Sequence, residues 1–88
     1  MTWQDHSERL VITTRHVTEF GHAITLVSCD EDGDLRALSD YTAEEDDVVM
    51  LSVADMLKLD PTLQALPDIQ INETYVRANT RAPWMKLT

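Results

Sequence analysis

The apolar residues of this chain fall in short runs rather than in long arrays of helical period. "LVITT", Leu10–Thr14, is β-branched and reads as a strand. "AITLVSC", Ala23–Cys29, is apolar on both faces, the pattern of a strand inside a sheet. "DEDG" follows it, and then "DLRALS", Asp34–Ser39, a third strand. Two strands joined by a short loop containing glycine make a hairpin. "VVML", Val48–Leu51, is a continuous apolar run and predicts a buried strand. Ser52, with Asp55 three residues on, forms the S-x-x-D variant of a capping box. It announces a helix with Val53, Met56 and Leu57 on one face and Lys58 near its negative end. Pro61 cannot continue that helix but can open another, capped by Asp60 and ended by Pro67, with Leu63 and Leu66 facing inward. "INETYVRA" holds a last strand, and the tail "APWMKLT" is anchored by Trp84. The pattern predicts an α+β fold: a small, mostly antiparallel sheet with one or two short helices packed on one face.

Length and composition narrow the picture. Eighty-eight residues make a single domain, 1–88. Such a chain buries roughly 60–65% of its unfolded surface, enough for a modest core without staples. One cysteine, Cys29, rules out an internal disulfide and favours a reducing compartment. No run of 18 apolar residues is present, and "MTWQDHSERL" lacks the layout of a secretory signal, so the expected location is cytoplasmic. The formal charge of −9 is unevenly placed. Asp30 to Asp60 carries eleven acids and two bases, while the rest of the chain sums to zero. A field of this sign repels nucleic acid and anionic membranes and attracts basic surfaces and cations.

Few residues suggest chemistry. In the twelve-residue calcium loop with Gly33 at its sixth place, Asp30 and Asp32 fill the third and fifth. The first and twelfth are Ser28 and Ser39, and serine cannot replace the closing bidentate glutamate. The stretch therefore reads first as a turn, with glycine supplying positive φ. His6, His16, His22 and Cys29 lack the paired spacings of a zinc site. Cys29 with His16 or His22 as base is the only nucleophile arrangement to consider, but a cysteine ending an apolar strand is usually packed and inert. "AEEDD", Ala43–Asp47, reads as a solvated acidic loop. Trp3 and Trp84, near the two ends, suit docking on the core or anchoring an interface.

Asp30 to Trp84 resembles a family of small bacterial domains of unknown function, catalogued in part as immunity-protein-like, type 33, and associated with polymorphic toxin systems. Four stretches carry the resemblance in order: "DEDGDLRALS", "DDVVMLSVADML", "LDPTLQAL" and "APW". Relatives commonly place an aromatic residue just after the acidic glycine turn, where this chain has Leu35. The resemblance implies an α/β or α+β domain with no known enzyme activity, and toxin neutralisation by some relatives, which does not establish it for this chain. It carries over no catalytic residue. The expectation is a non-enzymatic protein, without a cofactor, whose acidic residues bind a basic protein surface such as that of a toxin nuclease. Those residues are Asp30, Asp32, Asp34, Glu44, Glu45, Asp46 and Asp47. This supposes that the two acidic clusters project from one side of the molecule. The alternatives are a metal- or ligand-binding domain using the hairpin acids or His16, His22 and Cys29, and an enzyme using Cys29.

Overall fold

The computed structural model describes residues 8–40 and 44–87. The chain runs β1 (Leu10–Thr14), α1 (Arg15–Thr18), β2 (Leu26–Cys29), β3 (Leu35–Leu38), a 3-10 turn (Glu45–Asp47), β4 (Val48–Ser52), α2 (Val53–Leu59), a 3-10 helix (Pro61–Ala65), β5 (Thr74–Val76) and β6 (Met85–Lys86). The six strands form one sheet in the order β4-β1-β3-β2-β5-β6. Only the β1–β3 pair is parallel. The fold is α+β, with a mostly antiparallel sheet and two short helices.

Local chemistry explains the joints. Between β2 and β3, one carboxylate oxygen of Asp30 accepts the backbone N–H groups of Asp32 and Asp34, at 3.0 and 2.9 Å. Gly33 completes the turn at φ +85°, a conformation that a side chain would strain. Ser52 caps α2 by accepting the N–H of Asp55 at 3.1 Å. Asp60 ends α2 and caps the next segment, accepting from the N–H of Thr62 at 3.0 Å. Pro61 follows at the first helical position, where no N–H is needed.

Strand alternation sorts the sheet into two unlike faces, since residues paired across strands point the same way. The inner face carries Val11, Val27, Leu35, Ala37 and Tyr75, all buried. Met56 of α2 and Leu63 of the 3-10 helix pack on it, closing around an internal gap of only about 10 Å³ with Val11, Val27, Leu35 and Ala37. The outer face carries Leu10 and Ile12 from β1, Met50 and Val48 from β4, and Leu26, Leu38 and Val76 from the central strands. Arg36 is its one charged strand residue.

The sequence pattern misplaces three features. "VVML" is not a buried interior strand: β4 lies at the sheet edge, with Val48 and Met50 51% and 55% exposed. A continuous apolar run looks buried on both faces, yet here only Val49 and Leu51 alternate toward the inner layer. The second strand begins at Leu26 rather than Ala23. β6 and the one-turn helix α1 are absent from the predicted elements, being too short for any periodic signal.

Arg77 joins the layers. Its side chain is 1% exposed and reaches Asp60 at 2.9 Å. It also donates to Thr62 Oγ1 and to the carbonyl of Ile24, both at 2.9 Å. Its guanidinium lies 4.3 Å from the centre of the Trp84 ring, so Trp84 anchors the tail. Removing one partner of a buried ion pair strands the other charge, at about 3–5 kcal/mol. Arg77→Ala is expected to lower the free energy of urea unfolding by about that amount. A loss under about 1 kcal/mol would show that the pair does not hold the layers together.

Candidate functional site

The acidic hairpin and the second acidic loop sit at opposite ends of the sheet. Val11 pairs with Leu35 in the parallel β1–β3 ladder, so Asp34 lies level with Leu10, where β1 begins. Val48 pairs with Thr14, so Glu44–Asp47 lies where β1 ends. The five residues of β1 separate them, about 17 Å at the ordinary rise of a strand. This corrects the expectation that both clusters project from one side, and it removes the single concentrated negative patch on which the expected capture of a basic surface rested. The physical reason is β3: between the clusters, Leu35–Leu38 carries the chain from one end of the sheet to the other. Sequence distance alone gives no sign of that traverse.

The seven candidate acids also divide by role. Asp30 is half-buried and shapes the turn, with its other oxygen 3.6 Å from Arg36 Nη2. Asp32 and Asp34 are exposed, as is Glu31, which the sequence reading did not single out. At the other end, the Glu44 side chain accepts the backbone N–H of Asp47 in a capping box. Asp47 is only 7% exposed. Its carboxylate accepts from the Glu44 N–H at 3.0 Å and from Arg15 Nε at 2.7 Å, and lies 3.4 Å from His16 Nε2. The loop is therefore solvated at Glu44, Glu45 and Asp46 but not at Asp47. That the last acid of "EEDD" turns inward while the first three face solvent carries no sequence mark. Tyr41, Thr42 and Ala43 lie outside the described residues, as do Trp3 and His6. Glu31, Asp32, Asp34, Glu45 and Asp46 make no ion pair among the described residues.

Of the other candidate chemistries, the histidines and Cys29 do not come together, while the hairpin carboxylates do. His16 and His22 stand together at the Thr14 end, their rings 6.0 Å apart. Cys29 closes β2 at the hairpin end, so these three residues share no site. Cys29 is buried, and burial raises its pKa, with nearby Arg9 pulling the other way. The raised pKa keeps it a thiol rather than the thiolate a nucleophile needs. Oxygens of Asp30, Asp32 and Asp34 lie within 4.8 Å of one another. One Asp30 oxygen is already taken by two backbone amides, and β-strands flank the loop where a calcium loop has helices. An open cleft of about 390 Å³ is lined by Val17, His22, Ile24, Leu59, Asp60 and Thr80. Its one carboxylate, Asp60, is committed to Arg77.

No family model, no curated protein and no solved structure matches the chain. Among the described residues no helix is long and apolar enough to cross a membrane.

The hydrogen bond from the Glu44 amide, reinforced by Arg15 and then by His16, holds the Asp47 carboxyl below its ordinary 3.8. A carboxyl lowered on folding stabilises the native state above its unfolded pKa, and that contribution fades as pH falls through the folded value. Asp47→Asn is expected to lower the melting temperature at pH 7 and to shrink the loss between pH 7 and about pH 2. An unchanged acid slope would show that Asp47 is not so held.

Proposed function

We propose that this protein is a non-enzymatic interaction domain that captures a basic protein surface with the acidic loops at the two ends of its sheet. The observation that carries the reading is that exposed carboxylates with no ion-pair partner among the described residues stand at both ends: Asp32 and Asp34 at one, Glu45 and Asp46 at the other. Contact then spans the length of the sheet rather than one compact patch. Asp30, Glu44 and Asp47 serve the same purpose indirectly, by holding the loops in shape. The resemblance to immunity-like domains supports a toxin as the partner, its basic groove blocked by these carboxylates.

Rim charges of this kind act mainly on the association rate, and salt screens them. The test replaces Asp32, Asp34 and Asp46 by Asn and Glu45 by Gln, leaving the loop-shaping acids in place. Partners captured by the immobilised wild-type protein from lysate of the producing cells supply the analyte. The variant is expected to associate several-fold more slowly at about 50 mM salt, with little difference at about 500 mM. Equal rates at low salt would refute the reading.

A further inference from the structure

The outer face of the sheet lies between the two acidic loops, and among the described residues no helix lies over its apolar side chains. Met50, Val48 and Leu10 stay more than half exposed on it. Ile12, Leu38 and Val76, each half-buried, extend it across the sheet, broken by exposed Arg36 and by Ser28 and Thr74 in the row of Ile12. A contiguous apolar surface rimmed by polar residues marks an interaction site more often than an accident of folding.

We infer that this face docks an amphipathic helix of the partner, apolar along one side and basic at both ends. The inference rests on the proposed capture of a basic surface and specifies how that surface is seated. Three observations choose this occupant. The inner face shows what the sheet accepts, since α2 already lays Val53 and Met56 on its opposite side. Carboxylates outnumber bases at both ends, although Arg9 stands beside Gly33 at the hairpin end and Arg15 is bound to Asp47 at the other; the single strand charge between them, Arg36, lies 3.6 Å from Asp30. A second copy of this chain, aligned along the strands either way round, would set acidic loop against acidic loop, so charge complementarity selects a partner with basic ends. Length agrees as well: about 17 Å of sheet plus the two loops matches a helix of about 14–16 residues.

The test uses the full chain with methyl groups labelled for NMR, and three synthetic helical peptides of about 16 residues. The first has a leucine face and lysines at both ends, the second the same face with glutamates at the ends, and the third lysine ends with the leucines replaced by glutamine. Only the first is expected to bind. It should move the signals of Ile12, Leu38, Met50 and Val76 and leave Leu63 and Leu66, on the inner side, in place. Met50→Lys, at an exposed position that folding does not need, should weaken that binding by about tenfold.

Each other result overturns the inference. Equal binding of the first and third peptides would leave capture by the acidic loops standing while removing the apolar face from it. Equal binding of the first and second would remove the charge argument. Failure of the first peptide to move the outer signals removes the docking site, and the loop variants then test capture independently. Outer signals that shift with protein concentration alone would assign the face to a second copy. Nuclear Overhauser contacts from residues 1–7 to Met50 in the free protein would assign it to this chain's own N-terminus.

Discussion

The two-faced character of this domain depends on one buried cation. Arg77 closes the end of β5 and binds the cap of the 3-10 helix through Asp60 and Thr62, the chain entering β2 through the Ile24 carbonyl, and the tail through the Trp84 ring. Few side chains but arginine can do all of this: a planar fork with several donors, and a face that stacks on an aromatic ring. It ties the helical layer to the face that strand alternation has made apolar. In a chain of 88 residues there is material for one covering layer and little more.

The acids divide in the same way, some into structure and some into surface. Asp30, Glu44, Asp47 and Asp60 commit oxygens to backbone amides or to the guanidinium groups of Arg15 and Arg77. Asp32, Asp34, Glu45 and Asp46 have no such duty among the described residues. The acids without structural duty stand at the two ends of the sheet, on either side of the exposed apolar residues of its outer face.

Much of the fold was legible because its signals are local. The acidic glycine turn, the Ser52 cap, the Asp60–Pro61 start and the β-branched runs each announce themselves within a few residues. What was not legible is long-range. The parallel pairing of β1 with β3 sends the acidic clusters to opposite ends, and nothing in "DLRALS" specifies which neighbour that strand will take. The edge position of β4 is hidden for the same reason, because an apolar run does not say whether a second layer exists to bury it. Asp47 turned inward because Arg15 and His16, thirty residues away in sequence, wait at the end of β1.

If the acidic ends keep the open face from closing on a second copy, self-association must depend on salt in an unusual sense. Sedimentation equilibrium of the full chain, at about 100 μM and from about 20 mM to 1 M sodium chloride, measures this directly. A monomer at low salt is expected, with any dimer appearing only once the charges are screened. A stable dimer at low salt that dissociates as salt rises would contradict it, since the ends would then be attracting rather than repelling.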